Sequence, residues 1–217
     1  WTFDGSAPQS FTIDGGTAVF KAGSTVTPAD GTTLSVGSGG TLRAKGTSGA
    51  KIVFSTGNAA KRFSVDVRGG ASRATLELAF CDFKYMDAEG LQLHSGSTIL
   101  RFDDIGFDHA AAESVYLNLW PDVSRPGAAD APYWPPSLRG LTFANTASAA
   151  NVADIHAGGS VPHLWIYDYS GSVAGAAYED DLLGRIDWVA AVSGSTGGVA
   201  KIGTTHYESV QDAVDAA

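Results

Sequence analysis

The sequence predicts an all-β solenoid, a chain that winds through short strands stacked in repeating units. Apolar positions recur about every 23 residues between residues 50 and 115, and Gly, Ser and Asp separate the apolar runs. A repeat of about 20 to 50 residues is typical of solenoids, in which neighbouring units share one core. The apolar residues alternate with polar ones, which favours strands over helices.

Three sets of regularly spaced residues define the columns that we expect inside this solenoid. Members of the first set lie 23 residues apart, those of the second lie 24 apart, and the pairs of the third lie 22 apart. The sets are Val53, Leu76 and Ile99; Val67, Leu91 and Val115; and Phe80 with Phe102, Asp82 with Asp104 and Phe83 with Ile105. We expect the apolar members to face inward and to stack in neighbouring coils, about 4.8 Å apart.

Composition limits the partners. The net charge of −9 and the absence of any cluster among the 14 Lys and Arg residues argue against a nucleic acid or an anionic membrane as partner. No apolar run approaches the roughly 18 residues of a membrane span. The 27 glycines fit a structure with many tight turns. The single cysteine, Cys81, lies between phenylalanines in a predicted strand, where a small apolar core residue is expected.

The N-terminal third contains the clearest motif. Brief strands broken by Gly-rich turns fill residues 17–55, and Gly40–Thr47 reads Gly-Thr-Leu-Arg-Ala-Lys-Gly-Thr ahead of Ile52–Ser55. This pattern resembles the opening coils of right-handed parallel β-helix proteins of the pectate-lyase-like type, which are common among secreted and surface proteins of bacteria. The resemblance implies a right-handed parallel β-helix of about six coils over residues 17–171. It specifies no activity, because fold and function separate readily.

The two ends of the chain are expected to lie outside these coils. Residues 1–16 form a predicted N-terminal cap, because the end of a solenoid exposes its core. Residues 172–217 form a predicted C-terminal extension with a short strand, a linker and a helix that starts at Glu208 or Ser209. This last segment resembles the helix that often begins a β-helix domain. Both ends could join neighbouring copies into a fibre through Trp1, Phe3, Tyr207, Val210 and Val214.

A proline-rich loop is expected to interrupt the coils at residues 120–136. Prolines exclude a central strand there. The repeat then resumes, since Ile105 and Phe107 precede Leu141 and Phe143 by 36 residues, and Leu164 and Ile166 follow after 23 more. The aromatic residues of this loop either cover the side of the helix or stack on sugar rings; they are Trp120, Tyr133 and Trp134.

Catalytic residues are harder to identify. Polysaccharide hydrolases of this fold use carboxylates on adjacent coils, and the candidates here are Asp82, Asp104 and Asp108, with His109 beside them. The further motifs of those enzymes and the basic cluster of the lyases are missing. No metal-ligand spacing is found among the histidines. These aspartates are therefore more readily explained as surface or turn residues that attract calcium at most, and no other cofactor is expected.

Two function classes follow. The favoured one is a non-catalytic structural module at the cell surface or outside the cell, in a fibre or a larger adhesin-like protein that binds copies of itself or neighbouring domains. The alternative is a carbohydrate-binding β-helix or a carbohydrate-active enzyme, a polysaccharide lyase or a glycoside hydrolase. Ice or mineral binding is a weaker possibility, because the threonines do not recur in phase.

Overall fold

The computed structural model describes residues 10–94, 96–120, 137–158, 161, 163–189, 200–202 and 205–207. All regular structure in these residues is β-strand. The strands are β1 (Ser10–Ile13), β2 (Thr17–Lys21), β3 (Thr25–Val26), β4 (Thr32–Val36), β5 (Thr41–Lys45), β6 (Ile52–Ser55), β7 (Phe63–Val67), β8 (Ala74–Lys84), β9 (Met86–Leu93), β10 (Ser97–Asp108), β11 (Val115–Leu119), β12 (Ser137–Arg139), β13 (Thr142–Phe143), β14 (Ala153–Ala157), β15 (Leu164–Tyr167), β16 (Ile186–Val189), β17 (Ala200–Ile202) and β18 (Thr205–Tyr207).

The chain alternates between two parallel sheets. The first sheet has six strands in the order β1-β4-β7-β9-β11-β14. The second has ten strands, with β16-β15-β12-β10-β8-β5-β2 as its main path and the short strands β3, β6 and β13 beside it. Strands close in sequence thus lie in different sheets, and each pairs with strands from the preceding and following passes. The described residues are all-β with parallel sheets, as predicted, and the arrangement is consistent with a β-solenoid.

The hydrophobic core lies between the two sheets, and one predicted column runs through it. Leu76 pairs with Ile99, as the 23-residue spacing predicted, and with Leu42 on its other side. All three side chains are buried. The assignment of Val53 to this column is wrong, because Val53 pairs with Asp82 in a neighbouring part of the sheet.

The other predicted columns are displaced by one or two residues. In the first sheet Leu91 pairs with Val65 and Leu117, not with Val67 and Val115. Here the spacing is 26 residues (91−65 and 117−91), because the connections differ in length from those that flank Leu76. In the second sheet the three pairs that were expected 22 residues apart do not form. The observed pairs are Leu78 with Phe102, Asp82 with Gly106 and Phe83 with Phe107.

An aromatic column crosses the core of the second sheet. Phe54, Phe83, Phe107 and Phe143 belong to successive paired strands. Neighbouring ring centroids are 4.8, 5.7 and 5.4 Å apart, with interplanar angles of 6°, 19° and 4°. The predicted 36-residue offset between Phe107 and Phe143 is confirmed. The next predicted step is wrong, because Ile166 pairs with Leu138 rather than following Phe143.

The long strands of the second sheet bend at one shared position. Phe80, Asp104, Gly140 and Asp168 have φ values of 51°, 54°, 67° and 53°. They lie side by side, since the residues before them, Ala79, Asp103, Arg139 and Tyr167, are paired. Three of the four are not glycine, so packing on both sides must stabilise a conformation that side chains disfavour.

Several predicted residues fall outside this description. Trp1, Phe3, Tyr133, Trp134, Val210 and Val214 lie outside the described residues, as does the expected C-terminal helix. Tyr207 belongs to β18, which pairs with β17 as an antiparallel hairpin. At the ends of the sheets, β1 pairs with β4 and β16 pairs with β15. Within the described part of the chain, no helix is long and apolar enough to cross a membrane.

Candidate functional site

A shallow groove on the outer face of the second sheet brings the predicted aspartates together. Two adjoining cavities of about 200 and 250 Å³ share three lining residues, Lys51, Gly106 and Thr142. The first cavity also contacts Asp82, Phe83, Lys84, Phe107, Asp108 and Ala144, and the second contacts Ser48, Phe80, Asp104, Ile105 and Gly140. Asp82, Asp104 and Asp108 therefore line one continuous groove, whereas sequence spacing alone paired only Asp82 with Asp104.

Glycine forms the floor of the groove. Gly106 is paired with Asp82 on one side and with Thr142 on the other. A Cβ added at Gly106 would lie 2.5 Å from Asp82 Oδ1, so the carboxylate rests directly on the backbone. The groove exists because the middle strand has no side chain between two polar neighbours.

Asp82 is neutralised by a lysine from the preceding pass of the chain. Lys51 Nζ donates to Asp82 Oδ1 at 2.8 Å. The flanking residues Cys81 and Phe83 are fully buried, which leaves Asp82 on the outer face of the strand. The ion pair holds this carboxylate in its charged form, where it accepts hydrogen bonds and does not donate a proton.

Asp104 occupies the bent position next to Phe80. Its carboxyl has no hydrogen bond to any described residue. The pKa of Asp104 is raised, first by desolvation and then by the neighbouring Asp103 carboxylate, while Arg139, Lys51 and Arg101 oppose the shift. Asp104 is thus the carboxyl in this groove that gains a proton most readily.

Asp108 is held by four donors at the end of β10. Its Oδ1 accepts from the backbone N–H groups of His109 at 2.7 Å and Thr146 at 3.0 Å. Its Oδ2 accepts from Thr146 Oγ1 at 2.9 Å and lies 3.0 Å from His109 Nδ1. Desolvation acts to raise the pKa of Asp108, but these hydrogen bonds outweigh it and the pKa is lowered. A carboxylate with this many donors serves to fix the corner and is a poor general acid.

The predicted sugar-stacking residue Trp120 belongs to the other sheet. Its ring stacks on His94, with centroids 5.4 Å apart and an angle of 8°, and meets His156 edge-on at 6.2 Å. His94 in turn lies 3.2 Å from Asp66 Oδ1, and desolvation lowers the pKa of His94. One face of the Trp120 ring is therefore used within the protein, and 38% of the residue is exposed.

Sequence reasoning missed several groups that the fold brings to these surfaces. Lys51, Lys84 and Thr142 line the groove, but each lies on a different strand connection or pass, so no local motif could have found them. Within the described residues, no three His, Cys, Asp or Glu side chains are arranged to hold a metal ion.

A buried aspartate was also missed. Asp154 has no exposed surface, and it accepts hydrogen bonds from the N–H groups of Ile155 at 2.6 Å and Gly175 at 2.7 Å. Burial raises the pKa of Asp154 to about 7, against the effect of these hydrogen bonds. A Val-Ala-Asp-Ile context gave no signal that this carboxyl fastens β14 to the following turn.

The groove combines one proton-donating carboxyl, one lysine-paired carboxylate and hydroxyl groups on a glycine floor. Such a surface can hydrogen-bond a polar ligand along the strands. No protein-family model, no curated protein and no solved structure matches the chain.

Proposed function

We propose that this chain is a non-catalytic structural module of a cell-surface or extracellular protein, such as a fibre or a larger adhesin-like protein. It is built as a right-handed parallel β-helix of about six coils, of the pectate-lyase-like type, with residues 120–136 as a loop insertion. Its task in this proposal is mechanical, since a solenoid supplies a stiff spacer with a regular outer surface.

One observation carries this proposal, namely an inward column that is unbroken from one end of the second sheet to the other. Pairing aligns seven residues in seven strands: Phe20, Ala44, Leu78, Phe102, Leu138, Ile166 and Trp188. All but Trp188 are buried, and Trp188 packs against the core in part. A continuous core of this kind supports a rod whose sections cannot move independently.

The outward charges support the same function. Glu77 is shared between Arg43 and Lys45 of the neighbouring strand, and these contacts lower the pKa of Glu77 although desolvation opposes them. Arg139 contacts Asp168 at 2.8 Å across the next pair of strands. With Lys51 and Asp82, these pairs tie adjacent strands together and consume charge that a catalytic centre would need free.

Incubation of the purified chain with a panel of acidic and neutral polysaccharides tests the proposal. We expect no new reducing ends and no unsaturated products from the parent protein. Cleavage by the parent protein, abolished in Asp104→Asn and retained in a control Asp30→Asn outside the groove, would show an enzyme and overturn the structural assignment.

A second candidate, carbohydrate binding, is favoured by the shared groove. Asp82, Asp104 and Asp108 could accept hydrogen bonds from sugar hydroxyls while Lys51 and Thr142 donate to them. Calorimetric titration with oligosaccharides distinguishes the two functions, because a binding module should lose affinity in Thr142→Val and in Asp104→Asn. A calcium requirement stays a prediction, tested by the melting temperature with calcium and with a chelator.

A further inference from the structure

The second sheet ends in two strands whose outer edges have no partner strand among the described residues. These strands are β2 at the N-terminal end and β16 at the C-terminal end. Both run in the same direction as every other strand of that sheet, since all its pairings are parallel. An open strand edge presents N–H and C=O groups that can pair with another chain.

The inward column matches across these two edges. It ends at Trp188 on β16 and begins at Phe20 on β2. A second copy stacked in the same orientation would place its Phe20 next to Trp188 and continue the column without a change of register. In that register Val189 lies opposite Lys21, and Asp187 lies opposite Val19, so the charged pair is diagonal and within reach of a lysine side chain.

Charge is also opposite at the two ends. Residues 17–55 carry the four cations Lys21, Arg43, Lys45 and Lys51 against one carboxylate. Residues 163–189 carry five carboxylates against one arginine; they are Asp168, Glu179, Asp180, Asp181 and Asp187. Lys21 is exposed and has no ion-pair partner among the described residues. Opposite fields of this kind orient two copies head to tail and disfavour head-to-head contacts.

Apolar side chains beside both edges are exposed. Leu182 is 93% exposed, and Leu183 and Tyr178 are 53% and 40% exposed in the turn that leads into β16. Val19 is 56% exposed on the edge strand β2. Exposed apolar residues that cluster at an open edge mark an interaction surface.

We propose that a second copy of this chain docks with the outer edge of its β2 against the outer edge of β16, in the same orientation, with Lys21 of one copy facing Asp187 of the other. This inference rests on the proposed structural function and names its partner. The contact is heterologous and leaves the same two edges open on the outer copies, so assembly continues into a filament.

Charge exchange between the two edges tests this contact. Sedimentation velocity over a wide concentration range, with electron micrographs, should show the parent protein growing from monomers into rods. Lys21→Glu and Asp187→Lys should each weaken association at least about tenfold, because each places like charges together. The double variant Lys21→Glu/Asp187→Lys should regain it. Lys61→Glu, an equal charge change in a connection away from both edges, is the matched control and should associate like the parent.

Three results would overturn the docking: a parent protein that is monomeric at every concentration, a Lys21→Glu variant that associates normally, or a double variant that folds by circular dichroism and does not recover. These outcomes are separate from the polysaccharide test. An inert monomer would refute the docking and leave the structural function standing, whereas a filament that cleaves polysaccharide would refute the function and leave the docking.

Discussion

Gly90 lies directly against the backbone that enters β11 on the neighbouring pass. A Cβ added to it would lie 2.5 Å from the Tyr116 carbonyl oxygen and closer still to that of Val115, and its φ of 63° is one that side chains disfavour. Neither oxygen can retreat without breaking the pairing of Leu117 with Leu91. Glycine is therefore required here for room as well as for conformation.

Gly90→Ala should cost more stability than the same change at a glycine of equal φ with open space. Gly15 is that control, with a φ of 62° and no atom within 4 Å of an added Cβ. We expect a loss of about 1 kcal/mol in Gly15→Ala from the backbone conformation alone, and at least about 3 kcal/mol in Gly90→Ala from the added clash. Urea unfolding of both variants measures this, and equal losses would contradict it.

Leu76→Ala should reduce the free energy of unfolding by about 2 to 5 kcal/mol, because it opens a cavity between Leu42 and Ile99. Leu182→Ala is the control, since Leu182 is 93% exposed and should change stability by less than about 0.5 kcal/mol. Chemical denaturation of the two variants checks the prediction. A change under about 0.5 kcal/mol in Leu76→Ala would rule out the column.

The aromatic column should show coupling beyond the burial of each ring. In a double-mutant cycle with Phe83→Leu and Phe107→Leu, we expect an interaction free energy of about 0.5 to 1.5 kcal/mol, as for other stacked aromatic pairs. Phe20→Leu combined with Phe107→Leu is the control, because these rings are not among the paired neighbours. Additive losses for Phe83 and Phe107 would show that the stacking contributes nothing of its own.

Asp154 should make the protein less stable as pH rises. Its pKa of about 7 in the folded protein exceeds the value of about 3.9 in an unfolded chain. The folded state thus holds the proton more tightly, so the stability that this group contributes is complete below about pH 4 and is lost as pH rises through about 7. The loss should reach about 4 kcal/mol at most.

Asp154→Asn removes this titration while it keeps an acceptor for one of the two N–H groups. We expect a lower stability at acid pH and a smaller decline towards neutral pH than in the parent protein. Urea unfolding at several pH values from about 4.5 to about 8 measures the difference between the two slopes. Identical slopes would mean that Asp154 is not the group responsible.

The sequence was sufficient for the fold class and for the column between Leu76 and Ile99, because alternation and spacing report strands directly. The next pairs are displaced by a single residue. The register shifts between Ile99 and Arg101, so Glu77 pairs with Arg101 at a spacing of 24 rather than 23, and Asp82 then meets Gly106. One extra residue in one strand is invisible to a repeat search, yet it moves every later side chain.

The groove was only partly predictable for the same reason. Asp82, Asp104 and Asp108 were identified as acidic residues of adjacent passes, and they do line one groove. Lys51, which neutralises Asp82, comes from a connection 31 residues earlier, and its approach depends on how that connection closes. Three-dimensional loop closure of this kind has no counterpart in residue spacing.

The shared bend at Phe80, Asp104, Gly140 and Asp168 has a consequence for how the chain can vary. Left-handed residues stacked at one position form a crease along the second sheet, and every strand must reach it after the same number of paired residues. An insertion or deletion before the crease would carry an ordinary residue into it and shift a buried side chain outward. Length changes are thus confined to the connections between the sheets, and residues 120–136 lie in such a connection, between β11 and β12.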